Sequence, residues 1–177
     1  MDLRQSLFVF LRYIFLLVVA FPALKLFYLI FTPLTVYPVA FILGKLYDAV
    51  LFPGNMLFFK GYYAAIIPAC VAGAAYYLLL ILAFSTPMEI SKRIKVVIFT
   101  LGGFLLLNIT RIVIFAMLLK EGYEYFDITH IAVWYIGSTL IVATLWFLAV
   151  FIFNLRAIPF YTDLSQLWAE ANPKLKK

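Results

Sequence analysis

The chain has 177 residues, of which 67% are hydrophobic and 12% are charged, and its mean hydropathy is +1.08. Soluble domains are about half apolar and about a quarter charged, so this composition excludes an ordinary soluble protein and predicts an integral membrane protein. The net charge of +6 does not indicate nucleic-acid binding, because the basic residues gather at the ends of apolar segments and not in one patch.

Four apolar segments are long enough to cross a bilayer, which takes about 20 helical residues. The four predicted spans are 7–31, 66–84, 96–119 and 128–153. No small-x-small cleavage site follows the first span, so we expect a retained anchor and not a signal peptide. The expected fold class is therefore all-α, a polytopic helical bundle that forms a single membrane domain over residues 1–177.

The segment 33–65 is harder to assign than the spans on either side of it. Residues 36–50 have helical apolar spacing, with Lys45 and Asp48 on the polar side, and FPGNM at 52–56 is typical of a tight turn. The segment is predicted to be an amphipathic helix followed by a hairpin at one membrane surface. The alternative makes 26–44 a fifth span, and the expected count is four with five or six as alternatives.

The basic residues predict the orientation of the bundle, since they concentrate on the cytoplasmic side of membrane proteins. The loop before the third span carries three of them and the tail 154–177 carries four, whereas the loop KEGYEYFD before the fourth span is acidic. We therefore expect both termini in the cytoplasm and the segment 33–65 outside.

With this topology, Cys70, Arg111 and His130 lie on three different helices but near the same outer surface. An arginine inside a span costs several kcal/mol, so it is expected to have a functional partner. Asn108 lies three residues before Arg111 and shares its face. A thiolate is the nucleophilic form of cysteine, a histidine can carry its proton, and an arginine can stabilise the negative charge that forms. The set predicts a thiol acyl-transfer site that faces outward.

Each of these residues also has a structural explanation when it is taken alone. A single cysteine in an apolar helix is typical of a small packing residue, and His130 is typical of a residue at the membrane interface. Arg111 could extend to the lipid headgroups or pair with Asn108, which could hold two helices together. The alternative function is a non-enzymatic scaffold or a small transporter subunit. No cluster of His, Cys and acidic residues predicts a metal site, and no cofactor is expected.

At these residues the chain resembles the exosortase/archaeosortase family of membrane cysteine transpeptidases. The resemblance rests on PAC at 68–70, NITR at 108–111, the histidine at 130 and the upstream FPGNMLFF, and it covers about residues 33–150. The chain differs from many members at one point. Val-Ala follows the cysteine in ACVAGAA at 69–75, whereas many members have Ser-Gly there.

The resemblance implies a function as well as a fold. It implies that Cys70, Arg111 and His130 are catalytic, and that the substrates are exported surface proteins with a C-terminal motif, transmembrane helix and basic tail. Cleavage would proceed through a thioacyl-enzyme, with transfer to an amine on a membrane lipid. The implied location is the prokaryotic cytoplasmic (plasma) membrane, with the active site on the extracytoplasmic side.

Overall fold

The computed structural model describes the backbone of residues 3–155, and the side chains of residues 24–155 together with Leu11 and Ile14. Most of the predicted cytoplasmic tail lies outside the described residues. In the described part the helices are α1 (Leu3–Tyr47), α2 (Pro68–Val71), α3 (Gly73–Ser85), α4 (Ile90–Lys120), α5 (Phe126–Ala132) and α6 (Ser138–Ile152). A π-helical turn, Val133–Gly137, joins α5 to α6, and the strands are β1 (Val50–Phe52), β2 (Met56–Phe59) and β3 (Tyr62–Ala65).

Four helical stretches among the described residues are long and apolar enough to cross a membrane. They are Leu24–Tyr47, Pro68–Ser85, Ile90–Lys120 and Phe126–Ile152. The last three stretches lie close to the predicted spans 66–84, 96–119 and 128–153, whereas most of the predicted span 7–31 lies among residues whose side chains are not described.

The first of these stretches differs from the prediction. The sequence indicated a span over 7–31 and then a separate surface helix, whereas α1 continues without a break to Tyr47. Pro33 and Pro38 lack the N–H that would bond to the preceding turn, which is why the sequence suggested a boundary there. The apolar stretch Leu24–Tyr47 instead coincides with the segment considered as an alternative span.

Packing explains why α1 continues through its prolines. Val36, Val39 and Leu43 are 0–2% exposed, and the helix contacts both α3 and α4. Neighbouring helices commonly compensate for proline within membrane bundles, because they bury the disturbed turn. The residues after position 33 therefore belong to the bundle interior as well as to its surface, and the predicted separate surface helix is wrong.

The core is built around α4, which packs against α1, α3 and α6. Close approach of the helices depends on small residues at particular points. A Cβ atom added at Gly73 would lie 2.8 Å from the Tyr28 ring, and one at Gly103 would lie 3.0 Å from the end of Leu145. The absence of a side chain at Gly73 thus allows α3 to approach α1 closely.

A three-stranded antiparallel sheet, in the order β1-β2-β3, corrects the all-α fold class. The predicted turn at 52–56 does connect β1 to β2, but the third strand was not predicted. Lys60 and Gly61 form the β2–β3 turn, with φ angles of 48° and 89°. Positive φ at both positions suits the right-handed twist of a two-residue hairpin. The sheet buries Leu57 and Phe59, each 1% exposed, against the bundle.

The sheet lies at one end of the bundle. The C-terminal end of α1 leads into β1, and β3 leads into α2, so this end also holds Cys70. Because the long helices alternate in direction, the end of α4 and the start of α5 lie there as well, and β3 contacts α4. The topology therefore brings the three predicted site residues to the end of the bundle that carries the sheet.

Candidate active site

The helix that carries Cys70 is interrupted two residues after it. Ala72 separates α2 from α3 and has a φ of 59°, in the left-handed region. This conformation costs an L-residue about 1–2 kcal/mol, so surrounding contacts must compensate for it. As a result the Ala75 N–H donates to the Ala72 carbonyl at 2.9 Å, instead of to the Val71 carbonyl four residues before it. The last carbonyl groups of α2 therefore need other partners.

Asn108 and Arg111 supply these partners from α4. Asn108 Nδ2 donates to the carbonyl oxygens of Cys70 at 3.0 Å and Val71 at 3.4 Å. Arg111 Nη2 donates to the same Cys70 carbonyl at 3.3 Å. Asn108 is 1% exposed, so its amide replaces water as the donor. The two side chains share one face of α4, as their spacing predicts, and that face meets the backbone of Cys70.

Arg111 also reaches the last long helix, where its Nη1 donates to Ser138 Oγ. Ser138 follows the π-helical turn and lies eight residues after His130. In an uninterrupted α-helix two such residues would point about 80° apart, whereas the extra residue of a π turn reduces the difference to about 20°. The π turn thus brings His130 and Ser138 to the same side of this helix.

The guanidinium of Arg111 has no carboxylate partner among the described residues. Their two ion pairs, Lys60–Asp48 and Lys120–Glu121, lie elsewhere on the chain. The hydrogen bond from Arg111 to the Cys70 carbonyl places the guanidinium beside the residue that carries the thiol. Arginine has five N–H donors, and the two hydrogen bonds above use two of them. The remaining donors can bind an anion, including a charge that forms during a reaction.

His130 is held by aromatic side chains. Its ring stacks on Phe126, with the centroids 5.6 Å apart and the planes at 16°, and meets Phe115 edge-on at 5.0 Å. Phe126 lies one turn earlier in α5, and Phe115 lies on α4. The contacts limit the rotation of the imidazole without using either of its nitrogens, because a ring stack involves no hydrogen bond. Both nitrogens therefore remain able to exchange a proton.

Two neighbouring cavities share the same four side chains, Cys70, Arg111, Phe115 and His130. The sheet-side cavity, of about 220 Å³, is otherwise lined by Leu43, Leu57, Ala64, Ala65, Ile66, Ile112, Ala116, Leu119 and Phe126. The helix-side cavity, of about 230 Å³, is otherwise lined by Ile67, Ala69, Ile131 and Trp134.

The two cavities approach the shared residues from different sides. The sheet-side cavity lies between β3 and α4, and the helix-side cavity lies between α2 and α5 with its π turn. Ile67, Ile131 and Trp134 are 41–54% exposed, so the helix-side cavity opens onto the apolar surface of the bundle. The thiol, the cation and the imidazole thus lie where two apolar cavities meet.

Cys70, Arg111 and His130 could be identified from the sequence because each is unusual for its surroundings. Other parts of the arrangement give no such signal. Ser138 is a small polar residue in an apolar helix, which gives no periodic signal. The left-handed Ala72 and the π turn are backbone features without a residue type that predicts them. Phe115 is one of 19 phenylalanines in the chain, so nothing distinguished it before the fold was known.

The described residues contain no group of three or more His, Cys, Asp or Glu that could hold a metal ion. The chain has one histidine and one cysteine, and its acidic residues near this end lie outside the two cavities. No family model, curated protein or solved structure matches the chain.

Proposed function

We propose that this protein is a membrane-embedded cysteine transpeptidase. It cleaves exported surface proteins that carry a C-terminal motif, a transmembrane helix and a basic tail, and transfers them to an amine on a membrane lipid. The site faces the extracytoplasmic side of a prokaryotic cytoplasmic membrane, since the basic residues at the start of α4, Lys92, Arg93 and Lys95, lie at the opposite end of the bundle.

One observation carries the proposal: Cys70, Arg111 and His130 come from three different helices and line the same two cavities. A structural cysteine needs neither a cation nor an imidazole beside it. A transferase that uses a covalent intermediate needs a nucleophile accessible to two substrates in turn. Two cavities that meet at one thiol suit this requirement.

The reaction assigns a role to each residue. His130 takes the proton of the Cys70 thiol, the thiolate attacks the scissile carbonyl carbon, and free N–H groups of Arg111 stabilise the oxyanion. The C–N bond then breaks, and His130 donates a proton to the leaving amine, which leaves a thioester on Cys70. The amine of the acceptor attacks this thioester, His130 accepts its proton, and the thiolate is released. Asn108 and Ser138 position the Cys70 backbone and the guanidinium.

A second function is favoured by a specific observation, the hydrogen bonds from Asn108 and Arg111 to the Cys70 carbonyl. These bonds satisfy a carbonyl group at the end of an interrupted helix. They would serve a non-enzymatic scaffold or small transporter subunit equally well. In that case Arg111 is structural and the Cys70 thiol has no particular reactivity.

Alkylation of Cys70 distinguishes the two functions, because it is the only thiol in the chain. We expect iodoacetamide to modify Cys70 near neutral pH, and Arg111→Lys to slow the reaction about tenfold, since a point charge does not replace the planar guanidinium. Arg93→Lys is the matched control. Arg93 lies on the same helix and donates to the Thr86 and Met88 carbonyls at the other end of the bundle. Equal rates in both variants and the wild type would favour the scaffold.

A further inference from the structure

We infer that the substrate peptide binds as an additional strand on the free edge of β3, in an extended conformation that delivers its scissile carbonyl to Cys70. This inference rests on the proposed function and adds how the motif before the cleavage site is recognised. It concerns main-chain hydrogen bonds and is independent of the identity of the motif.

The register of the sheet decides which backbone groups of β3 are free. The Ile66 N–H donates to the Asn55 carbonyl at 3.0 Å. In an antiparallel ladder the hydrogen-bonded pairs recur at every second residue, so Ala64 bonds to its partner Leu57 in the same way. The intervening residues, Tyr63 and Ala65, therefore direct their N–H and C=O groups away from β2.

The outer edge of β3 is open to a partner. Among the described residues, no strand pairs with this edge and no backbone hydrogen bond uses the outward N–H or C=O group of Tyr63 or Ala65. Exposed edges are normally protected by charge, proline or a bulge, because they readily accept another strand. β3 has the sequence YYAA, with none of these features. Extended peptides bind to such edges through main-chain hydrogen bonds.

The edge also leads directly to the candidate nucleophile. Ala64, Ala65 and Ile66 line the sheet-side cavity together with Cys70. The two alanines have short side chains, which leave room for a second backbone beside β3. β3 ends at Ala65 and α2 begins at Pro68, so Cys70 lies in the single turn of helix that follows the strand after two residues.

This arrangement fixes the direction of the peptide. Residues before the scissile bond must lie along β3 while the scissile carbonyl reaches Cys70, and β3 itself runs toward Cys70. The peptide is therefore parallel to β3. In such pairing every second peptide residue directs its N–H and C=O to the edge strand, and the residues between them do not.

An N-methyl scan of a peptidyl reagent tests this periodicity on the wild-type protein. Acetyl-tetra-alanyl chloromethyl ketone alkylates a thiolate by displacement of chloride, and its rate on Cys70 is divided by the rate with iodoacetamide. We expect N-methylation to lower this ratio about fivefold at alternate residues, the effect of one hydrogen bond, and to leave it unchanged at the others. A ratio that does not alternate along the peptide would overturn the strand model.

A substitution at the edge provides the second test. Ala65→Pro removes an outward N–H without removing a bond to β2, and proline is tolerated on edge strands. We expect Ala65→Pro to give a peptidyl ratio about fivefold lower than that of Ala65→Ser, which keeps the N–H, because the two variants differ by one hydrogen bond to the peptide. An equal ratio in the two variants contradicts the inference.

The outcomes separate this inference from the proposed function. If alkylation is fast and depends on Arg111, but the effect of N-methylation does not alternate along the peptide, strand addition is refuted and the proposed transpeptidase function is not. A Cys70 that neither reagent modifies refutes both.

Discussion

Replacement of Asn108 by leucine tests whether this side chain holds the interrupted helix at Cys70. Leucine has the same number of side-chain heavy atoms and the same branching but donates no hydrogen bond. In Asn108→Leu the Cys70 carbonyl keeps its bond from Arg111, and the Val71 carbonyl loses the partner that Asn108 provides. The site thus loses two hydrogen bonds, one to a carbonyl that Arg111 still bonds and one to a carbonyl that loses its donor.

The expected cost follows from these contacts. An orphaned buried carbonyl costs about 1–3 kcal/mol, and the loss of the bond to Cys70 costs about 1 kcal/mol. Part of this is offset, because Asn108 Oδ1 is buried without a partner among the described residues and disappears with the amide. The net destabilisation is about 2 kcal/mol, which lowers the Tm by about 4–8 °C for a chain of this size.

Thermal unfolding in detergent micelles, followed by tryptophan fluorescence, measures this difference. Thr110→Ala is the matched control, because Thr110 is exposed on the same helix and its hydroxyl bonds only to the Leu106 carbonyl within that helix. We expect the control to stay within about 0.5 kcal/mol of the wild type. If Asn108→Leu unfolds at the same temperature as the control, Asn108 does not support the Cys70 segment.

Two further predictions concern helix packing and the guanidinium. Gly73→Ala places a Cβ 2.8 Å from the Tyr28 ring and should destabilise the protein by about 1–3 kcal/mol, whereas Gly102→Ala meets nothing within 4 Å and should stabilise it by about 0.5–1 kcal/mol in the same unfolding assay. Ser138→Ala removes a hydrogen-bond partner of Arg111 and should slow iodoacetamide alkylation of Cys70 about tenfold, the effect of about 1.4 kcal/mol.

The controls for these predictions lie beside the altered residues. A Gly73→Ala variant as stable as Gly102→Ala would show that α1 and α3 do not approach closely at this point. For Ser138→Ala the control is Thr139→Ala, since Thr139 is exposed and bonds to a carbonyl of its own helix. Equal alkylation rates in the two variants would remove Ser138 from the site.

The long helices could be predicted from the sequence because apolar length and the near absence of charge determine them. The end of the first span could not, since two prolines at 33 and 38 suggest a boundary that packing against α3 and α4 overrides. The third strand was also missed, because YYAA is too short to show a clear alternation of apolar and polar residues.

The meeting of Cys70, Arg111 and His130 was predictable in outline, since alternating helices bring the end of one and the start of the next to the same level. The rotation of each helix was not predictable. It depends on the left-handed Ala72 and on the π turn before Ser138, and neither has a residue pattern that distinguishes it from a regular helix. The two backbone irregularities thus determine how the site residues are oriented toward one another, which the composition does not predict.

Processing of a co-expressed exported protein with a C-terminal motif, transmembrane helix and basic tail tests the central claim most directly. The sizes of this protein with wild-type enzyme, Cys70→Ala and Cys70→Ser are compared by immunoblot, together with the amount of each enzyme in the membrane. The account predicts a shortened product with the wild type and none with either variant, at equal enzyme levels. Normal processing by Cys70→Ala would contradict the thioacyl mechanism and the function proposed from it.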